Sequence, residues 1–184
     1  MRVFVAIDID NLQIIEKVMA IRRNLMATNA MMKFVETENL HITLKFLGEV
    51  DPKDLEDIKA TIRLCAENVR PFTVHLVGIG CFPSIRAPRV IWIGTREGTS
   101  NIEDIANCID STLYRFGFKR EGRKYHSHLT IARVKRYNLA LKKVLQDISE
   151  MEIGWQEIHS VKIKKSTLTP KGPIYEDIFV LELK

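Results

Sequence analysis

The chain is sparing with cysteine and proline, and it has no long apolar run. Its three cysteines, Cys65, Cys81 and Cys108, stand far apart in 184 residues, and no two form a CxxC pair. An odd, scattered set speaks against a disulfide framework and against a zinc ribbon. Three small reduced side chains in apolar surroundings are the expectation. No stretch approaches the roughly 20 apolar residues needed to cross a bilayer, and MRVFVAIDID carries Asp8 and Asp10 before a signal-peptide core is complete. The expected protein is cytoplasmic and has no membrane partner. Low-complexity segments are missing, as is any linker rich in glycine or serine, so residues 1–184 read as one domain.

With 46% hydrophobic residues, 184 positions suffice for one sizeable core or for two small lobes. Lys and Arg number 28 against 23 Asp and Glu, a formal charge of +5. That excess suits an anionic partner such as RNA or a phosphate ester, and an ordinary lysine-rich surface explains it equally well.

Strand-like alternation opens the chain in RVFVAIDI, with Val3, Val5, Ile7 and Ile9 on one face. A helix capped by Asp10 follows, with Ile15, Val18, Met19, Leu25 and Met26 as its apolar stripe. KFVE and LHITLKFLG read as strands. DPKD starts a second helix, with Asp51 as the cap and proline at the first helical position. FTVHLVGIGCF and RVIWIGT are β-patterned and are joined by the turn-prone PSIRAP. A third helix is expected from Ser100, where Glu103 three residues on would complete a capping box. HSHLTIARV, a helix around Leu141 to Ile148, the alternating VKIKKSTL, the turn TPKGP and the strand YEDIFVLEL complete the chain. Intermixed elements with short connections favour antiparallel pairing and the α+β class.

One pattern occurs twice. LHITLKF and SHLTIAR share the order His, apolar, Thr, apolar, and their histidines, His41 and His128, lie 87 residues apart. Five histidines and eleven threonines are present, which predicts roughly 0.3 chance occurrences of H-x-T. Two copies in β-patterned surroundings are therefore a signal. On a strand, residues i and i+2 share a face. His41 then projects with Thr43 and His128 with Thr130, while Ile42, Leu44, Leu129 and Ile131 point to the core. If the two strands face one cleft, two imidazoles and two hydroxyls converge on a small anion. Such a set can cleave a phosphodiester without metal or cofactor. A neutral histidine takes a proton from the attacking water, and a protonated one donates to the leaving oxygen. The hydroxyls bind the non-bridging oxygens, where charge must be stabilised.

These paired motifs resemble those of the two-histidine phosphoesterases. More closely, the chain resembles the RNA 2′,3′-cyclic phosphodiesterase family, also called 2′-5′ RNA ligases. The likeness covers RVFVAIDI, ENLHITLKFLGEV, GIGCFPSIRAPRVIWIG, GFKREGRKYHSHLTIAR and STLTPKGPIYE. It implies two similar α+β lobes, each an antiparallel sheet with helices outside, set around a central cleft. It also implies roles: His41 as proton donor to the 3′ leaving oxygen, His128 as proton acceptor from water, and Thr43 and Thr130 as phosphate ligands. The implied substrate is RNA ending in a 2′,3′-cyclic phosphate, the implied product a 2′-phosphate, and an RNA 5′-hydroxyl in place of water would form a 2′-5′ linkage. A monomer is expected. Arg133 matches the arginine that closes the family's second motif, yet strict alternation puts it on the face opposite His128. Reaching the phosphate would need a twist or bulge. Ser127 departs from the proline that many relatives have before this histidine.

Other residues have sharper and blander readings. His126 shares a face with His128, but a zinc site needs three or four ligands and no further Cys/His cluster supplies them. His75 and His159 read as structural. Alternation puts Lys45 on the His41 face. Arg86, Arg89, Lys119, Arg120, Arg123 and Lys124 could steer an RNA backbone or could simply be solvated. Tyr125 could stack a base, Trp92 reads as core, and Tyr175 has no assigned role. The rival function is an RNA-end binding module without catalysis; binding alone would be served as well by Arg or Lys in place of the histidines.

Overall fold

A computed structural model describes residues 1–170 and 172–184. In order these form β1 (Arg2–Asp8), α1 (Leu12–Met26), β2 (Met31–Phe34), β3 (His41–Glu49), α2 (Leu55–Ala66), β4 (Phe72–Phe82), β5 (Val90–Thr95), α3 (Thr99–Tyr114), β6 (His128–Arg136), α4 (Leu139–Asp147), β7 (Glu152–Ile158), β8 (Ser160–Thr169) and β9 (Gly172–Glu182). The turn expected over TPKGP includes Lys171, which lies outside the described residues.

The strands pair antiparallel in the order β7-β4-β5-β6-β3-β1-β8-β9, with β2 added on β6. The α+β class and the two-part architecture are thus both present. One half is β3-β1-β8-β9, the other β6-β5-β4-β7, and the seam between them is the pairing of Ile42 with Leu129. Both seam residues are fully buried, and losing either to alanine would cost about 2–5 kcal/mol.

The halves are interleaved along the chain. β4 follows β3 and α2 in sequence but joins β5, while β8 follows β6 and α4 but joins β1. Helices cross in the same way: α1 packs on β7 and α4, while α3 rests on β3 and on α2. All four helices cover one side of the sheet, where Val3, Val5, Ile7, Ile42, Leu44, Ile91, Ile93, Leu129 and Ile131 build the core. The opposite side is left for the site.

Several local expectations change. Asn11, not Asp10, caps α1, accepting from the Gln13 and Ile14 amides. Its buried stripe is Ile14, Val18, Ile21 and Leu25; Val18 and Leu25 are as expected, while Ile15 is only partly buried and Met19 and Met26 are exposed. Asp51 does cap its segment, but the first turn, Pro52–Asp54, is a 3₁₀ turn. The capping box at Ser100 does not form. α3 starts one residue earlier, entered through Gly98 at φ 79°, where a Cβ would collide with the Thr73 carbonyl.

Cysteine needs the largest correction. Cys65 on α2 and Cys108 on α3 form a disulfide, with Cα atoms 5.7 Å apart. Their 43-residue separation hid the contact, because it arises only from the packing of two helices. Cys81 is free and buried; burial raises its thiol pKa to about 11. Among the described residues no helix is long and apolar enough to cross a membrane.

Candidate active site

The two H-x-T motifs lie on the central strands, β3 and β6, and meet at the seam. Ile42 pairs with Leu129 in antiparallel register. One step to either side brings His41 towards Thr130 and Thr43 towards His128, so each imidazole neighbours the other motif's hydroxyl. All four side chains are partly exposed while Ile42, Leu44, Leu129 and Ile131 are buried. The alternation expected from sequence holds here.

The imidazoles are held alike. His41 Nδ1 lies 2.7 Å from the Asn39 carbonyl and His128 Nδ1 lies 2.6 Å from the His126 carbonyl. A carbonyl only accepts, so each Nδ1 donates its proton, and Nε2 is left to exchange protons with a ligand. Burial lowers the pKa of His41 below 6.5; its carbonyl bond and Asp8 oppose that shift, while Lys164 and His128 reinforce it. Burial likewise lowers His128 against its bond to the His126 carbonyl, with the His126 ring and Arg133 adding to the effect. His41 thus has charges of both signs near it, Asp8 and Lys164, while the charged neighbour of His128 is Arg133.

Backbone bulges decide what else reaches this face. On β6 the ladder steps from Thr130 opposite Trp92 to Ala132 opposite Ile91. Ile131 is the extra residue, so Ala132 also turns inward and Arg133 emerges, exposed, on the side of His128 and Thr130. This is the bulge that strict alternation lacked. The same device recurs on β3, where the ladder steps from Thr43 opposite Ala6 to Lys45 opposite Val5. Leu44 is extra, and Lys45 turns inward instead of sharing the His41 face. It is 2% exposed and donates to Asp110 Oδ1 on α3 at 2.6 Å and to the Lys119 carbonyl at 2.9 Å. Phe46 takes the outward place, 61% exposed, opposite Phe4 with ring centres 6.0 Å apart. An aromatic and an arginine thus occupy matching positions beyond the two motifs.

Around His41 the face is charged. Asp8, opposite His41 on β1, bonds Lys162 at 2.7 Å and Lys164 at 2.9 Å. Asp177 on β9 binds the same two lysines at 2.8 and 2.6 Å. Tyr175 stands edge-on to His41 with ring centres 5.5 Å apart, and burial raises its hydroxyl pKa against the pull of Arg133, Arg2 and Lys164.

Around His128 the face is aromatic. Trp92, expected in the core, pairs with Thr130 and so lies on the site side. Its indole covers Gly80, where a Cβ would collide with the six-membered ring. Phe82 and His126 complete the cluster: His128 is 5.0 Å from Phe82 and 6.1 Å from Trp92, and His126 is 4.9 Å from Trp92, centre to centre.

Tyr125 does not offer its ring to a base. It is mostly buried and its hydroxyl donates to the Thr43 carbonyl at 2.9 Å, tying β3 to the loop before β6. Arg120 pairs with Asp110 at 3.4 Å. His75 is a structural residue, held by Glu97 at 2.7 Å and Glu152 at 2.6 Å and stacked on Trp155. Among the described residues no cluster of three or more His, Cys, Asp or Glu side chains is arranged to hold a metal ion.

Family comparison also divides the chain in two. The family model described as LigT like Phosphoesterase matches twice, over residues 9–92 and 93–175. The chain belongs to the LigT-like phosphoesterase family. It is 41% identical over 182 residues to the RNA 2′,3′-cyclic phosphodiesterase of Archaeoglobus fulgidus, covering 99% of this chain and 100% of the relative. It is 42% identical over 180 residues to the enzyme of the same name from Methanocaldococcus jannaschii, covering 97% and 98%. Escherichia coli LigT complexed with 3′-AMP shares the fold, with a TM-score of 0.79 at 22% identity and coverage of 99% and 97%. A Thermus thermophilus protein superposes with a TM-score of 0.84 at 23% identity, over 100% and 98%. In the LigT-like repeat, Arg133 and Phe46 are the positions that simple alternation misplaces, and the paired bulges explain both.

Proposed function

We propose that this LigT-like phosphoesterase opens 2′,3′-cyclic phosphate ends of RNA to 2′-phosphomonoesters without a metal ion. The observation that carries this reading is the matched pair of imidazoles, each with Nδ1 committed to the carbonyl two residues back and Nε2 free. Binding would need neither that orientation nor a second histidine.

In the proposed reaction the cyclic phosphodiester sits between the two motifs, its non-bridging oxygens bound by Thr43, Thr130 and Arg133. The guanidinium offers paired N–H groups to those oxygens. His128 Nε2 takes the proton of a water, whose oxygen attacks phosphorus. The bond to O3′ breaks on the far side, and His41 Nε2 gives that oxygen its proton. Neighbouring charge bears on this division of labour: Asp8 favours the imidazolium at His41 against burial and Lys164, and Arg133 favours the neutral ring at His128. Phe46, exposed one strand-step beyond the motif, provides a flat surface for the base of the terminal nucleotide. Residues 1–184 act as one two-lobed unit, since each half supplies one of the two imidazoles. An RNA 5′-hydroxyl in place of water would give 2′-5′ ligation by the same steps.

The test is turnover of a cyclic-phosphate-ended oligonucleotide in excess chelator. We expect activity to persist, and His41→Ala and His128→Ala each to lose on the order of 100- to 10,000-fold in kcat. RNA affinity in those variants should change far less. Activity that vanishes with chelator and returns with zinc refutes the metal-free route, and two active alanine variants refute the acid–base assignment.

A further inference from the structure

Corresponding positions in the two halves carry opposite chemistry. Thr43 pairs with Ala6 and His41 with Asp8, whereas Thr130 pairs with Trp92 and His128 with Gly94. Next along, β8 presents Lys162 and Lys164 beside β1, while β4 presents Gly80 and Phe82 beside β5. His41 therefore has ion pairs as well as the Phe4 and Tyr175 rings beside it, at 5.0 and 5.5 Å centre to centre, whereas beside His128 the rings lie over glycine. Gly80 leaves the space into which the Trp92 indole lies flat, and Gly94 keeps the position opposite His128 free of a side chain.

Water is a sufficient nucleophile for hydrolysis and needs no aromatic bed. Displacement at phosphorus runs in line, so the entering oxygen comes from the side opposite the departing one. With O3′ leaving towards His41, whatever carries the entering oxygen lies on the side of His128. That is where Trp92, Phe82 and exposed His126 stand together, within 6.1 Å of the His128 ring or of each other, centre to centre. The Trp92 Nε1–H is buried and has no partner among the described residues, an unused donor within this cluster.

We propose that the Trp92, Phe82 and His126 surface is an acceptor-nucleoside subsite, which seats the 5′-terminal nucleoside of an incoming RNA so that its 5′-hydroxyl replaces water at His128. This rests on the cyclic phosphodiesterase reading and its ligation variant, and adds to them the place where the acceptor nucleoside sits. The step balances without any further reactant. A bond forms between phosphorus and O5′ and the bond to O3′ breaks. The 5′-hydroxyl proton passes to His128 Nε2, and the His41 Nε2 proton passes to O3′. The product is a 2′-5′ phosphodiester with a free 3′-hydroxyl.

The experiment follows adenosine 2′,3′-cyclic phosphate with the full chain while water competes with one of two added alcohols. One is a 5′-hydroxyl adenylyl dinucleotide and the other is methanol, which has no base. The readout is the transfer-to-hydrolysis ratio per molar of acceptor, taken within one reaction so that partial unfolding or slowed chemistry cancels. Wild type should prefer the dinucleotide over methanol by about tenfold or more, a stacking-sized effect. Trp92→Leu should remove most of that preference. His126→Ala, which alters an exposed ring and keeps the carbonyl that holds His128, should reduce it several-fold. No preference in wild type, or an unchanged preference in both variants, overturns the subsite. A Trp92→Leu enzyme that keeps its preference but loses hydrolysis of longer cyclic-phosphate strands puts the rings under the donor strand instead, and also overturns it. Failure of wild type to open the cyclic phosphate at all refutes the parent reading as well, so the two failures are distinct.

Discussion

The inward turn of Lys45 can be tested through its partner. Asp110→Ala leaves an ammonium whose side chain is 1% exposed with no counter-charge, since Asp110 Oδ1 is its carboxylate contact at 2.6 Å. Removing one partner from a buried pair costs about 3–5 kcal/mol. For a chain of this length 1 kcal/mol corresponds to roughly 2–4 °C, so Tm should fall on the order of 6–20 °C. The reverse change, Lys45→Met, leaves a carboxylate that is 16% exposed and still has Arg120 at 3.4 Å and the Glu121 amide at 3.0 Å. It should cost about 1–3 kcal/mol. Combining Lys45→Met with Asp110→Leu should recover stability lost in Asp110→Ala, because an apolar pair replaces a buried ionic one. Calorimetry reads all three, with hydrolysis at 25 °C measured beside it. If Asp110→Ala melts like wild type while Lys45→Met abolishes turnover, Lys45 faces the substrate and the bulge at Leu44 is wrong.

Four other outcomes are expected. Burial holds the imidazoles of both motifs below 6.5, so if they act as the proposed acid and base the pH profile of kcat/KM should centre on the acid side of 6.5. The bound phosphodiester anion favours the imidazolium forms, which moves the kcat profile to higher pH; an optimum of kcat/KM above neutrality contradicts the shifts. Stability follows the same sign: below 6.5 the unfolded chain binds protons that the folded rings refuse, so stability held above 6.5 declines as pH falls, as acid titration of the denaturant midpoint would register. Phe46→Ala should raise KM for a cyclic-phosphate-ended RNA about tenfold with little change in kcat, whereas Phe46→Tyr should restore it; equal effects on kcat would place Phe46 outside the base-binding surface. Replacing Cys65 and Cys108 by serine removes a cross-link across 43 residues, worth up to about 4 kcal/mol by loop entropy. Reductant should then lower the urea midpoint of wild type to that of the double variant and leave the variant unmoved.

Much of this site was legible because its logic is local. A strand repeats every two residues, so His-x-Thr with buried flanks at Ile42, Leu44, Leu129 and Ile131 announces its facing without tertiary knowledge. Strands rich in β-branched and aromatic residues, such as β4 and β9, were equally plain. What failed depended on partners distant in sequence. The Cys65–Cys108 bond, the ion pair of Lys45 with Asp110, and the place of Trp92 over Gly80 all arise between elements that composition cannot bring together. Bulges failed for another reason, since one extra residue reverses every later side chain of a strand and Leu44 and Ile131 look like any other core residue. β7 was missed because Gly154, at φ 151°, interrupts a short strand that carries exposed Glu152, Trp155 and Glu157.

The crossing of β4 and β8 between the two halves has a further bearing. Severing the backbone near residue 96 would not release a pair of miniature enzymes. Each fragment would carry a strand whose hydrogen-bonding neighbour lies in the other, β1 with β8 and β7 with β4, and a helix that packs on the other, α1 on β7 and α3 on β3. The fragments would complete one another only by reassembling, as the members of an exchanged dimer do.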